Sequence, residues 1–180
     1  MRRLFAFVAV GSATALVVEF FFNIAVTGDY DNFLFTLVGY PVYLALFFAL
    51  GQLVLRRVAH GERVFFVLTY FSGGVLGLAI EWFVMGNSPW GNPDSIPWGM
   101  WVFWAAVVTV PTIYIEEREH GWRMLRSILG VYGGVSLTLW LILPPPLRLV
   151  AMPVWMTVFY TYLHLPYFRH LRSLHQRQDE

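Results

Sequence analysis

The sequence contains no cysteine and no lysine, and all 12 of its basic residues are arginines. Without cysteine the chain cannot form disulfides, use a thiolate nucleophile or bind zinc or iron–sulfur clusters through sulfur. Without lysine it cannot hold retinal or pyridoxal phosphate as a Schiff base. Charged residues make up only 13% of the chain, against about 25% in an average soluble domain. The net charge of +1 gives no general attraction to nucleic acid, so we expect no nucleic-acid partner.

What the sequence has instead is apolar residues, which make up 58% of it. A membrane-spanning helix needs roughly 20 mostly apolar residues, and six segments meet or approach that length. They are about Leu4–Val26, Phe33–Leu55, Val64–Met85, Trp98–Ile115, Met124–Leu143 and Leu149–Phe168. The sequence therefore predicts an all-α, polytopic transmembrane bundle that forms one integral membrane domain over residues 1–180, with the lipid bilayer as its first partner.

The arginines predict the orientation of this bundle. If both termini lie in the cytoplasm, 11 of the 12 arginines fall on the inner side and Arg148 alone falls on the outer side. Such an excess is typical of cytoplasmic loops. We expect a multi-pass protein of the cytoplasmic membrane with both termini inside.

The first and third predicted helices share a sequence pattern. The segment Gly11–Phe21 aligns without gaps on Gly73–Phe83, which places Glu19 opposite Glu81. In each case a proline-containing helix follows. This pattern favours three parallel helical hairpins, an arrangement known among transporters.

Small residues precede both glutamates at four-residue spacing, and residues four apart share one helix face. Such stripes allow close helix packing. The fifth helix carries a similar stripe, at Gly130, Gly134 and Thr138. We therefore expect the first, third and fifth helices to form the core, with the proline helices outside and most tryptophans, Trp104 among them, at interfaces and lipid-facing positions.

Glu19 and Glu81 are the only acidic residues well inside the predicted spans. A charged side chain at mid-membrane costs at least about 2.5–3.5 kcal/mol, so such residues normally face the bundle interior or a wet cavity. Asn23 lies one helical turn after Glu19 and is placed to hydrogen-bond with it. The pattern predicts an outward-facing pocket in which the carboxylates share a proton, bind a cation or act as acid and base. The alternative is that both residues only fix helix packing.

The longest predicted connector, Gly86 to Pro97, begins five residues after Glu81. Its polar and aromatic side chains are candidates for a lid over the pocket; they are Asn87, Trp90, Asn92 and Asp94. The alternative is a structured cap whose tryptophans anchor it among the lipid headgroups.

A metal site and a cofactor are not expected. Glu117 and His120 match half of the Glu-x-x-His pattern of di-iron proteins, but the sequence has no second copy of it. The pair is more typical of a solvated helix end.

Three functions remain open on the sequence. The first is proton- or cation-coupled handling of a small solute at Glu19 and Glu81. The second is an intramembrane acid–base enzyme that acts on a lipid or an isoprenoid. The third is a non-catalytic subunit or assembly factor bound to other membrane subunits. The sequence does not decide whether the chain is an enzyme, nor which small molecule or lipid it binds.

Overall fold

The computed structural model describes residues 1–86 and 96–178, apart from the side chains of residues 166, 170 and 172–178. The described chain is all-α and forms six helices, as predicted. They are α1 (Arg2–Thr27), α2 (Tyr30–Val58), α3 (Glu62–Phe83), α4 (Pro97–Glu116), α5 (Arg118–Ile142) and α6 (Pro145–Gln178). Helices α1 to α5 are long and apolar enough to cross a membrane. The four candidate lid residues, Asn87, Trp90, Asn92 and Asp94, lie outside the described residues.

The helix boundaries follow from local sequence. Gly28, with φ of 71°, ends α1 in the left-handed region that glycine adopts without strain. Asp29 then caps α2, because its side chain accepts a 2.9 Å hydrogen bond from the backbone N–H of Asn32. Pro97 occupies the first turn of α4, where its missing N–H costs nothing. Helices α1 and α2 are therefore joined by a short turn at Gly28 and Asp29, and α4 begins at Pro97.

Helix α4 is the central element of the bundle. In its most apolar stretch 72% of the residues are buried, against 28% in the corresponding stretch of α5. The expectation that the first, third and fifth helices form the core is therefore wrong for α5 and for α4, since α4, which contains Pro111, stands at the centre. The proline helix α2 does lie outside, with 22% of its most apolar stretch buried. No charged residue interrupts α4 before Glu116, so other helices can surround it without burying a charge.

The glycine stripes of α1 and α3 make close packing contacts, as expected. Their partners are α2 and α4, however, and not the other glycine-striped helices. A Cβ added at Gly11 would lie 2.7 Å from Leu44 of α2 and 3.0 Å from the carbonyl oxygen of Val107 in α4. A Cβ at Gly73 would lie 2.2 Å from Val108, also in α4. By contrast, the space within 4 Å of a Cβ at Gly130 is open. The four-residue spacing on α5 predicts close helix packing, but no helix packs closely against Gly130 or Gly134 in the described chain.

Ion pairs gather three helix ends at one end of the bundle. Glu116, at the end of α4, pairs with Arg3 at the start of α1, at 3.7 Å, and with Arg56 near the end of α2. The Arg56 guanidinium also lies 4.7 Å from the ring centre of Phe65, near the start of α3. We call this end of the bundle, defined by Arg3, Arg56 and Glu116, the basic end.

Candidate functional site

Glu19 and Glu81 line the same cavity, which has a volume of about 300 Å³. The cavity lies between α2 and α3, with Glu19 of α1 and Trp104 of α4 reaching it from the bundle interior. The structure thus brings together the two carboxylates that the sequence singled out.

The Glu19 carboxylate is held by a donor on each of its oxygens. The Tyr40 hydroxyl donates to Oε1 at 2.5 Å, and Asn23 Nδ2 donates to Oε2 at 2.9 Å. The predicted bond between Asn23 and Glu19 is therefore confirmed. Asn23 Oδ1 in turn accepts a 2.9 Å bond from Asn32 Nδ2, at the start of α2. This chain of bonds ties the end of α1 to α2 and fixes the direction of the carboxylate.

The backbone changes its winding directly after Glu19. From Phe20 to Thr27 the last part of α1 is π-helical. Wide π turns are rare and occur frequently at functional sites. Glu81, in contrast, lies within the α-helical segment Glu62–Phe83. The two glutamates that align in sequence thus have different local backbones.

Trp104 holds the second carboxylate. Its indole Nε1 donates to Glu81 Oε1 at 3.0 Å, and the side chain is 4% exposed. Gly77 makes room for this ring, because a Cβ at that position would lie 2.1 Å from Trp104 Cγ. The expectation that Trp104 belongs at an interface or faces lipid is therefore wrong. The physical reason is that Trp104 lies on the central helix α4, so its indole N–H finds a hydrogen-bond partner inside the bundle.

Three aromatic rings surround the carboxylates. The ring centre of Trp104 lies 5.3 Å from that of Tyr40 and 5.1 Å from that of Tyr43. The Tyr43 hydroxyl is buried and has no hydrogen-bond partner in the described part of the chain. Sequence reasoning missed both tyrosines. The available signal was a phenol in the middle of an apolar helix, which normally needs a polar partner when buried.

The rest of the cavity wall is apolar, and part of it lies on the bundle surface. Phe35, Val42, Leu46 and Val84 line the cavity and are all exposed. In a membrane this surface faces lipid, so the cavity opens sideways between α2 and α3. The cavity thus has an apolar, lateral entrance, whereas the sequence predicts a polar pocket that opens to the outside.

A second apolar cavity of about 410 Å³ continues the first one. Both are lined by Tyr43, Leu46, Ile80 and Val84, and the second extends to Leu50 on α2. Along α2 the lining runs from Phe35 to Leu50, which corresponds to about 22 Å at 1.5 Å per residue. We call the two cavities together the α2/α3 groove.

Within the described residues, no group of three or more histidine, aspartate or glutamate side chains is placed to hold a metal ion. No protein-family model, curated protein or solved structure matches this chain. The function must therefore be argued from the geometry of the α2/α3 groove.

Proposed function

We propose that the α2/α3 groove binds an apolar organic cation that enters from the membrane, and that Glu19 and Glu81 exchange this cation for protons. The observation that carries the proposal is the convergence of two carboxylates and three aromatic rings in one apolar cavity. This proposal names the class of solute for the cation-coupled function that the sequence leaves open.

The charge of Glu19 favours a cationic ligand. An ionised carboxylate in apolar surroundings is costly unless a positive charge accompanies it. Tyr40 and Asn23 donate hydrogen bonds to Glu19, but both groups are neutral. A proton or a bound cation can therefore neutralise this carboxylate, and the two compete for it. Such competition couples cation binding to proton release.

The aromatic rings of the cavity also favour a cationic ligand. A cation over the face of a tryptophan or tyrosine gains about 0.5–2 kcal/mol, and quaternary ammonium groups are recognised in this way. Trp104, Tyr40 and Tyr43 line the cavity together with the acids. Its volume of about 300 Å³ matches the lower end of small-molecule sites. An ammonium group with apolar substituents suits this cavity, because its charge interacts with the rings and its substituents contact the apolar walls.

We also propose that the basic end faces the cytoplasm of the cell that makes the protein. The distribution of arginines supports this orientation. With this proposed orientation, Glu19 and Glu81 lie in the outer half of the bilayer, near the end of the bundle opposite Glu116. The three parallel hairpins and the binding of other membrane subunits stay predictions.

The test measures cation binding to the protein in lipid nanodiscs. Tetrabutylammonium serves as the probe in isothermal titration calorimetry at several pH values. We expect saturable binding that strengthens as the pH rises, because protons then compete less. Glu19→Gln and Glu81→Gln should each weaken binding by at least about tenfold, equivalent to 1.4 kcal/mol.

The matched control is Glu62→Gln, which removes an exposed carboxylate from the first turn of the helix that carries Glu81. This variant should bind the probe as the unaltered protein does. Equal binding by all three variants, or no saturable binding by the unaltered protein, contradicts the proposal.

A second candidate is favoured by the length of the groove. A groove of about 22 Å also suits a long lipid or isoprenoid chain. One glutamate, protonated, would donate its proton to a carbon–carbon double bond, and the other would remove a proton from a neighbouring carbon. The rings would stabilise the intermediate positive charge. The net reaction moves a double bond or closes a ring, with no oxidant or reductant needed.

Deuterium incorporation separates the two candidates. The nanodisc-embedded protein is incubated with a C20 polyprenol in D2O, and the recovered lipid is analysed by mass spectrometry. The enzyme is supported if deuterium is incorporated on carbon and if this incorporation is lost when either Glu19 or Glu81 is replaced. Cation binding without deuterium incorporation supports the cation-exchange function.

A further inference from the structure

A cavity separate from the α2/α3 groove lies between α5 and α6. A cavity of about 490 Å³ separates these helices, and none of its lining residues belongs to the α2/α3 groove. On α5 it is lined by Arg123, Ser127 and Val131, and on α6 by Trp155 and Val158. Nothing in the proposed function uses this cavity, which we call the α5/α6 wedge.

The path of α5 explains why the wedge exists. At the basic end the first turns of α5 pack back on α4, where a Cβ added to Gly121 would lie 2.3 Å from the Cα of Tyr114. Only glycine permits so close an approach. Further along, Trp155 Nε1 of α6 donates to the backbone oxygen of Tyr132 in α5 at 3.5 Å. The two helices therefore meet at Tyr132 and Trp155, at the deep end of the wedge, and separate toward the basic end.

The chemistry of the wedge changes along its length. Arg123 is exposed and lies toward the basic end, about one helical turn after His120, which also lines the wedge. Val131 lies deeper by eight residues, or about 12 Å along the helix, opposite Trp155 and Val158. Among the described residues, the ion pairs join Arg3 and Arg56 to Glu116 and do not include Arg123. A positive charge at the rim thus stands above an apolar interior.

We propose that the α5/α6 wedge binds an anionic glycerophospholipid, with its phosphate at Arg123 and an acyl chain along Val131, Trp155 and Val158. Water does not fill an apolar cavity of this kind favourably, whereas an acyl chain gains contacts with both walls. Basic pockets between transmembrane helices recognise acidic headgroups by their charge. The charge at the rim selects the headgroup, and the wedge selects the chain. The proposal is independent of the carboxylates.

The test is native mass spectrometry of the protein released from membranes of phosphatidylglycerol and phosphatidylcholine. We expect one retained phosphatidylglycerol, and Arg123→Gln should abolish the preference over phosphatidylcholine, a change of about tenfold. Val158→Trp fills the wedge and should remove both lipids. Val131→Phe, on the facing wall, repeats that experiment if Val158→Trp does not fold.

The control is Arg126→Gln, on the same helix. The Arg126 guanidinium lies 5.6 Å from the ring centre of Trp122, and Arg126 does not line the wedge. This variant should keep the retained lipid. Equal losses from Arg123→Gln and Arg126→Gln would mean that surface charge alone holds the lipid, and displacement by soluble glycerol phosphate would mean that no chain is recognised. Either result overturns the proposal.

Discussion

Glu116 and Glu19 are both carboxylates of the same helical bundle, but their charges have different partners. Glu116, at the basic end, is paired with the guanidinium groups of Arg3 and Arg56. Glu19, inside the bundle, accepts its hydrogen bonds from the neutral groups of Tyr40 and Asn23. At one site the protein itself supplies the positive charge. At the other the protein supplies only neutral hydrogen-bond donors, and in the proposed function a proton or a cation balances the charge.

The difference separates a structural carboxylate from a candidate binding group. A carboxylate whose charge is balanced by arginine helps to connect helix ends, but it attracts a further cation only weakly. Glu19 lies instead beside a cavity of about 300 Å³. The next experiments test the contrast by making one site resemble the other.

The largest effect is expected from giving Glu19 a permanent partner. Asn23→Arg places a guanidinium one turn from the carboxylate, as Arg56 stands beside Glu116. We expect the affinity for tetrabutylammonium to fall by at least about 100-fold, or 2.7 kcal/mol, at every pH. The reason is that the new guanidinium already balances the charge of Glu19, so neither a proton nor the probe is needed to do so. The measurement is calorimetric titration in nanodiscs, with Asn23→Gln as the uncharged control. Binding by Asn23→Arg at the original affinity would mean that the charge of Glu19 is not what the cation recognises.

The next effect concerns the packing that brings Trp104 to Glu81. Gly77→Ala adds a Cβ that would lie 2.1 Å from Trp104 Cγ, so the indole must move. Overpacking of this kind costs about 1–3 kcal/mol. Gly134→Ala, at a position with open space, should not destabilise the protein. Thermal unfolding in detergent compares the two variants. Equal midpoints would show that the close approach is not needed.

Part of this arrangement could be predicted from the sequence, for physical reasons. Spanning helices satisfy their own backbone hydrogen bonds, so length and hydropathy predict where they lie. Five of the six predicted spans coincide with helices of the described chain that are long and apolar enough to cross a membrane. The bond between Glu19 and Asn23 follows from four-residue spacing within one helix. The central position of α4 could not be predicted, because most of these helices are apolar on all faces and no face shows what it will pack against. The contacts of Trp104 and Tyr40 depend on that packing, and so they were missed.

A smaller effect is expected from the reverse change at the basic end. Glu116→Gln removes the shared partner of Arg3 and Arg56, whose side chains are 61% and 39% exposed. Because these arginines are well solvated, the loss should be about 1 kcal/mol or less, or about 2–4 °C in the unfolding midpoint. High salt should reduce the difference between the two proteins. Cation binding should not change. A loss of binding as large as that of Glu19→Gln would remove the distinction between the two carboxylates.

The smallest effect isolates one ring of the proposed cation site. The Tyr43 hydroxyl has no hydrogen-bond partner among the described residues, so Tyr43→Phe should leave cation binding unchanged. Tyr43→Leu keeps an apolar side chain but removes the ring, whose contribution to cation binding is about 0.5–1 kcal/mol. We therefore expect affinity for tetrabutylammonium to fall by about two- to fivefold. Comparing Leu with Phe at one position separates the ring from the hydroxyl and from the volume of the side chain. If both substitutions weaken binding equally, the hydroxyl is the group that matters. The site would then recognise its ligand by hydrogen bonding, and the contrast with the arginine-paired Glu116 would rest on Glu19 and Glu81 alone.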